Sequence, residues 1–182
     1  MYITQLVNIT SRSWTLPILS GLHNGIPGRQ APLLKATGAN RTAFAQSMNH
    51  LIEIGLMQRN PGHGHPLRPE FRLTQAGAKM AAFASRIMNV SEQEQRDLLR
   101  KTWTLPVLAA LQSPSHFNQI KRSLITITDR ALSQSLQSLE ERKWLERQVN
   151  VEARPPKPIY FPINSGRKIC EVAKPEISFA IQ

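Results

Sequence analysis

Apolar residues recur at helical spacing in two stretches of this chain of 182 residues, over residues 41–54 and 129–142. In both stretches three apolar side chains stand at positions i, i+4 and i+7, which places them on one face of an α-helix. They are Phe44, Met48 and Leu51 in the first stretch and Leu132, Leu136 and Leu139 in the second. Each stretch is therefore predicted to be a helix with one buried stripe and a polar outer face.

A shorter helix is predicted just before each of these, over about residues 31–37 (APLLKAT) and 116–124 (HFNQIKRSL). The segments TGAN at 37–40 and ITIT at 125–128 separate the paired helices and are predicted to be turns. Two helices that meet through such a short turn, with the second polar on its outer face, form a helix-turn-helix.

Extended segments follow each helix-turn-helix. Residues 55–74 and 143–163 begin apolar, pass through tips rich in Pro and basic residues and then return, which predicts a two-stranded hairpin in each half. A closing helix is predicted after Gly77 and after Gly166. Helix-turn-helix, hairpin wing and closing helix together make a winged helix.

The two halves also begin with nearly the same phrase. SRSWTLPILSGL stands at 11–22 and RKTWTLPVLAAL at 100–111, with Trp103 89 positions after Trp14. The similarity continues at an offset of 88 through the later helix, which indicates a duplication. The predicted fold class is mainly α (α+β), with two tandem winged helix-turn-helix domains over 1–89 and 90–182, each carrying a two-stranded wing.

Two further helical features are predicted near these phrases. A first helix is expected over about 15–23 and 104–112, with Thr15 or Thr104 as its cap. The segment SEQE at 91–94 has the pattern of a capping box, and it predicts an additional helix that ends near Arg100.

These motifs resemble the HxlR-type branch of the bacterial winged helix regulators, a neighbour of the MarR family. The resemblance rests on W-T-L-P-[IV]-L-x-x-L in each copy, HFNQIK at 116–121, ALSQSLQSLEE at 131–141 and FRLTQAG at 71–77. It implies DNA-binding transcriptional regulation. The chain departs from that family in two ways: the family's members are usually single domains that dimerise, and YFPINSG at 160–166 replaces the apolar-Thr motif.

The charge pattern favours a polyanionic partner. The chain has 23 Lys or Arg against 12 Asp or Glu, a net charge of +11, of which +7 falls on residues 1–89 and +4 on residues 90–182. Such an excess attracts DNA, RNA or an anionic membrane, and composition alone does not choose among them. A membrane-surface protein would need a basic amphipathic helix, and none is found, so no membrane partner is expected.

Cysteine usage and the N-terminal sequence indicate a cellular compartment. Cys170 is the only cysteine, the first residues lack the pattern of a secretory signal, and no run of about eighteen apolar residues occurs. A soluble cytoplasmic protein is expected.

The reading helices supply the candidate DNA-binding residues, because the second helix of a helix-turn-helix enters the major groove by its N-terminal end. Arg can bind guanine through two hydrogen bonds, and Asn or Gln can bind adenine in the same way. The outward residues are Asn40, Arg41, Thr42, Gln46 and Asn49 in the first copy and Thr128, Arg130, Ser133, Gln134 and Gln137 in the second. Each can also be a solvated surface residue, and Asn40 or Thr128 can serve only as a cap. Asp129 would repel phosphate and is expected to serve the helix dipole instead.

The wing tips carry a second group of candidates, which are expected to lie along phosphates or a minor groove. They are His65, Arg68, Arg154 and Lys157. The alternative is that these wing tips are solvated loops that do not contact DNA. The GHGH segment at 62–65 lacks further ligands, so no metal site is expected.

Catalytic constellations are not found, and neither an enzyme activity nor a cofactor is expected. Trp14 and Trp103 are assigned to the core rather than to an effector pocket. Cys170 is taken as a partly buried thiol, since a redox switch would require an exposed, electropositive setting.

The function inferred is a sequence-specific DNA-binding transcriptional regulator whose two domains act as a covalent pseudo-dimer on two half-sites of double-stranded DNA. A protein-binding adaptor is the first alternative, because winged helices also serve that role. A nonspecific nucleic-acid binder is the second. Further homodimerisation of the tandem chain stays open, and no small-molecule effector is assigned.

Overall fold

The computed structural model describes residues 1–60, 69–150 and 156–179, and the chain divides into two compact units. The first unit is Arg12–Asn89, and the second unit combines Met1–Ser11 with Val90–Gln182. The first eleven residues thus lie in the second unit, whereas the sequence analysis placed them with the first copy.

The elements follow one another in a regular order. The helices are α1 (Ile3–Thr10), α2 (Thr15–His23), α3 (Gln30–Thr37), α4 (Arg41–Glu53), α5 (Gln75–Val90), α6 (Thr104–Ala110), α7 (Phe117–Leu124), α8 (Asp129–Glu141) and α9 (Asn164–Ala173). The strands are β1 (Met57–Asn60), β2 (Glu70–Leu73), β3 (Ser115–His116), β4 (Leu145–Asn150) and β5 (Lys157–Pro162). The predicted class, mainly helical α+β with small antiparallel sheets, is confirmed.

In the first unit, α3 and α4 form the helix-turn-helix. Helix α3 ends at Gly38, whose φ of 68° needs a residue that tolerates the left-handed region. Helix α4 begins after Asn40, whose side-chain oxygen accepts a hydrogen bond from the Ala43 amide at 2.8 Å. The predicted stripe of Phe44, Met48 and Leu51 is buried, so the opposite face of α4 is left to solvent.

The wing of the first unit is the antiparallel pair β1–β2, in register from Met57 opposite Leu73 to Asn60 opposite Glu70. The wing is joined to α5 at a close approach of two backbones. A Cβ on Gly77 would stand 1.8 Å from the Leu56 carbonyl oxygen, so only glycine fits there.

The second unit contains α7 and α8 as its helix-turn-helix, with Leu132, Leu136 and Leu139 buried as predicted. Thr128 caps α8 by accepting a hydrogen bond from the Ala131 amide at 3.2 Å. Its sheet has three strands in the order β3-β5-β4, because Ser115 and His116 pair with Tyr160 and Ile159. This adds one short strand to the two that the sequence predicted.

The second unit repeats the backbone approach of the first. A Cβ on Gly166 of α9 would stand 1.9 Å from the carbonyl oxygen of Trp144. The Trp144 side chain is fully buried, and its indole nitrogen donates a hydrogen bond to the Gln95 side chain. This contact fixes the segment before α6 onto the body of the unit.

Some local predictions were wrong. Residues 91–100 form two short 3-10 helices, Gln93–Gln95 and Leu98–Arg100, instead of one α-helix. Thr15 and Thr104 are the first residues of α2 and α6 rather than their caps, which are Trp14 and Trp103.

Helix α1 was not predicted at all. It buries Ile3, Leu6, Ile9 and Thr10 within the second unit, and the Thr10 hydroxyl donates a hydrogen bond to the Thr102 carbonyl at 2.8 Å. No helix within the described ranges combines the length and the apolar content that crossing a membrane requires.

Candidate nucleic-acid interface

The first candidate surface is the outer face of α4. Asn40, Arg41, Thr42, Gln46 and Asn49 are all exposed, as the sequence pattern predicts. The buried stripe fixes this orientation, because rotating the helix to hide these polar groups would expose Phe44 and its apolar neighbours. Asn40 serves as the cap of α4. The other four side chains also carry hydrogen-bonding groups, and their exposure makes them accessible to an external partner.

The second candidate surface is the outer face of α8. Thr128, Arg130, Ser133, Gln134 and Gln137 are exposed there as well. Gln137 donates a hydrogen bond from its side-chain amide to Glu141 on the same helix at 3.0 Å, so it would have to exchange that partner to bind a base. Thr128 combines exposure with the capping role described above.

The first residues of α4 and α8 differ in charge. Helix α4 starts with Arg41, and α8 starts with Asp129, which forms an ion pair with Lys121 of α7 at 2.7 Å. A carboxylate in the first turn interacts favourably with the positive end of the helix dipole. Asp129 therefore has two intramolecular partners, the dipole and Lys121, which fits the role that the sequence suggested for it.

The wings contribute less to the described surface. Lys157 is exposed at the start of β5, whereas His65, Arg68 and Arg154 lie outside the described residues. The GHGH segment lies outside them as well. Across the described ranges, no group of three His, Cys, Asp or Glu side chains is placed to hold a metal ion.

Sequence reasoning missed an ion pair that fixes the first wing to the helix-turn-helix. Arg29, at the cap of α3, donates to one Glu70 oxygen from Nε at 3.0 Å and from a terminal nitrogen at 2.6 Å. These hydrogen bonds and the positive charge of Arg29 lower the pKa of Glu70, and Arg72 adds a weaker contribution. The two partners are 41 residues apart, so local patterning gave no signal of the contact.

Each helix-turn-helix also borders an open groove. In the first unit a groove of about 600 Å³ runs between α3 and the wing, lined by Arg29, Gln30, Ala31, Pro32, Leu34, Arg41 and Pro69. In the second unit a groove of about 470 Å³ is lined by Asn118, Lys121, Arg122 and Ile125. Lys121 and Arg122 were not among the predicted site residues. The helical spacing that places them outward in HFNQIKRSL could have identified them.

Cys170 lies on α9 in the second unit. Its thiol is buried and donates a hydrogen bond to the Leu108 carbonyl at 3.0 Å. Burial, with a smaller contribution from the negative charge of Glu171, raises the pKa of the Cys170 thiol to about 12. Such a thiol is protonated at neutral pH and is a poor nucleophile.

A helix-turn-helix followed by an antiparallel wing and a closing helix defines the winged helix class. Residues 98–176 match the family described as HxlR-like helix-turn-helix, and this range contains the helix-turn-helix of the second unit and its wing strands. The HxlR-type resemblance drawn from the sequence motifs is thereby confirmed.

Proteins with similar sequences are named as HTH-type transcriptional regulators. An uncharacterized HTH-type transcriptional regulator of Mycobacterium bovis is 31% identical over 80 residues, which are 44% of this chain and 50% of that protein. An uncharacterized HTH-type transcriptional regulator of Mycobacterium tuberculosis is similar to the same extent. The chain thus covers about half the length of these relatives. No solved structure matches the chain.

Proposed function

We propose that the protein is a sequence-specific DNA-binding transcriptional regulator that uses α4 and α8 as two reading helices. The observation that carries the proposal is the pair of exposed polar helix faces, each set by a buried apolar stripe on the opposite side. Arg, Asn and Gln on such a face are the side chains that read base edges in the major groove. The net charge of +11 supplies the attraction to phosphate that nucleic-acid binding requires.

The two units are proposed to be tandem copies of one winged helix that act as a covalent pseudo-dimer. Three matched features support this proposal. A tryptophan precedes α2 and α6, a polar cap binds the third amide of α4 and α8, and a glycine of α5 and α9 lies against the carbonyl just before the wing. The copies are proposed to lie within residues 1–89 and 90–182, and residues 1–11, which precede Trp14 of the first copy's shared phrase, pack in the second unit.

The two half-sites are proposed to differ in sequence. Helix α4 presents Arg41 at its start and α8 presents Asp129, so a base or phosphate at that place meets opposite charges in the two units. Dimeric helix-turn-helix proteins mirror their two-fold symmetry in palindromic sites, with half-sites about one helical turn apart. A pseudo-dimer with unequal readers favours an imperfect palindrome.

Binding titrations of the full chain test this function. A duplex selected from random fragments and a scrambled duplex of equal composition are compared at several salt concentrations. We expect tighter binding to the selected duplex at every concentration, with affinity for both falling as salt rises. Equal affinity for both duplexes would indicate a nonspecific binder, and salt-independent or absent binding would favour an adaptor that binds protein.

Single substitutions distinguish side chains that contact bases from side chains that contact phosphates. Arg41→Ala and Arg130→Ala should each relax the preference at particular base pairs, costing about 1–3 kcal/mol of discrimination. Lys157→Ala should weaken all sequences alike and lower the salt slope by about one unit. Lys174→Ala, which removes one charge at the end of α9, is the matched control and should change neither property. Identical behaviour of helix and wing variants would contradict this division of roles.

A further inference from the structure

The turn between α7 and α8 contains a strained residue. Ile125 has φ 56° and ψ −60°, a region that β-branched residues rarely adopt. The Thr126 amide donates a hydrogen bond to the Leu124 carbonyl at 2.6 Å, which closes a three-residue γ-turn around Ile125. Strained backbone of this kind persists only when the surrounding structure holds it, and it is concentrated at ligand-contacting sites.

The strained turn points an apolar side chain into solvent. Ile125 is 53% exposed, although Leu124 before it and Ile127 after it are buried at 1% and 3%. The buried side chains of Leu124 and Ile127 hold the turn in place, and Ile125 between them remains exposed to solvent. The corresponding position of the first unit, at the end of α3, is Gly38, which has a positive φ but no side chain. The first unit thus ends this helix with a residue of positive φ, Gly38 with φ 68° and ψ 15°, that presents no side chain at this place.

Ile125 forms one end of the groove of the second unit. Asn118, Lys121, Arg122 and Ile125 share one face of α7 and its end, at positions i, i+3, i+4 and i+7. Lys121 is held by Asp129, and the Arg122 Nε donates to the Asn118 carbonyl at 3.3 Å. The groove thus combines cationic groups with one exposed hydrocarbon surface, immediately before the reading helix.

We propose that Ile125 packs against the 5-methyl group of a thymine in the half-site read by α8, while Arg122 lies along an adjacent phosphate. The proposal rests on the DNA-binding function given above. Thymine is the standard base that presents an apolar group in the major groove, so it is the chemical match for an exposed isoleucine. The cationic groups of the groove match the phosphate on the same strand. Ile125 is then a specificity-determining residue that α4 and its turn, with Gly38, do not have.

Replacing thymine by deoxyuracil, one position at a time in the selected duplex, removes only the methyl group and tests the proposal. For the unmodified protein, one substitution in the α8 half-site should weaken binding about fourfold, as expected for one buried methyl group. For Ile125→Gly, the same substitution should have no effect. Substitutions in the α4 half-site should affect both proteins equally, which provides the internal control.

Ile125→Gly permits the positive φ, so its melting temperature should equal or exceed that of the unmodified protein. Ile125→Asn, which replaces the hydrocarbon side chain by a polar amide, should reproduce the loss of methyl sensitivity. Equal sensitivity to deoxyuracil in all three proteins, or insensitivity in the unmodified protein, would overturn the assignment. A uniform loss of affinity in both variants would also overturn it, by making the role structural. If binding is specific and salt-dependent in these cases, the DNA-binding function stands and only the thymine contact fails.

Discussion

Asp129→Asn tests whether the acidic residue at the start of α8 is an intramolecular partner or a base reader. In the structure the carboxylate pairs with Lys121 at 2.7 Å, with 67% of the Asp129 side chain and 42% of the Lys121 side chain exposed. An exposed pair of this kind stabilises by about 0–1 kcal/mol, and the interaction with the helix dipole adds about 0.3–1 kcal/mol. The variant should therefore lose about 1 kcal/mol of stability and remain folded.

The same substitution should strengthen DNA binding. Lys121 is released to bind a phosphate, and each additional phosphate neutralised steepens the slope of log affinity against log salt by about 0.9. Removing a negative charge about 10 Å from a phosphate contributes a further ~0.4 kcal/mol in water before screening. Together these effects predict an affinity gain of up to roughly tenfold at about 0.1 M salt.

Fluorescence titration of a labelled duplex, with selected and scrambled sequences at several salt concentrations, measures both the affinity and the slope. Asp129→Glu keeps the charge and serves as the matched control, with unchanged slope. The reasoning is refuted if Asp129→Asn weakens binding and relaxes the preference at one base pair. That result would mean that the carboxylate accepts a hydrogen bond from a base, as Asp can from cytosine.

Three further substitutions or conditions give independent tests. Gly77→Ala should lower the free energy of unfolding by about 3 kcal/mol in urea denaturation, because its Cβ would stand 1.8 Å from the Leu56 oxygen. Gly55→Ala, with φ 74° and open space around it, should cost only about 1–2 kcal/mol, and equal losses would contradict the packing argument. Thr128→Ala should destabilise the protein by about 1 kcal/mol and Thr128→Ser much less. A Thr128→Ala variant as stable as the unmodified protein would contradict the capping role. Cys170, with its pKa raised from 9.0 to about 12, should resist thiol reagents until the protein unfolds. Because the unfolded thiol ionises first, stability should fall as pH rises through this interval, and a Cys170→Ala variant should lack that component.

The elements that could be predicted from sequence are those with local signals. The stripes through Phe44 and Leu132 identified α4 and α8 and their exposed faces, because helical spacing alone determines which side chains share a face. Helix α1 also has such a signal in Ile3, Leu6 and Ile9, but these three apolar residues extend over only about two turns of helix.

The features that were missed depend on contacts between distant residues. The capping-box pattern at 91–94 did not produce an α-helix, because Gln95 is held by the buried Trp144 and the adjacent Leu98 and Leu99 are both buried. Strand β3 exists only through its pairing with β5. The unusual φ of Ile125 has no sequence signature either, since isoleucine is among the residues least suited to it. Tertiary contacts determine all three.

The central claim is that two different helices of one chain read two half-sites of one duplex. Base-by-base protection of the selected duplex by the full chain, compared with Arg41→Ala and Arg130→Ala, tests it most directly. The account predicts two protected segments about one helical turn apart, with each variant losing protection in a different segment. A single protected segment, or the same loss in both variants, would contradict it.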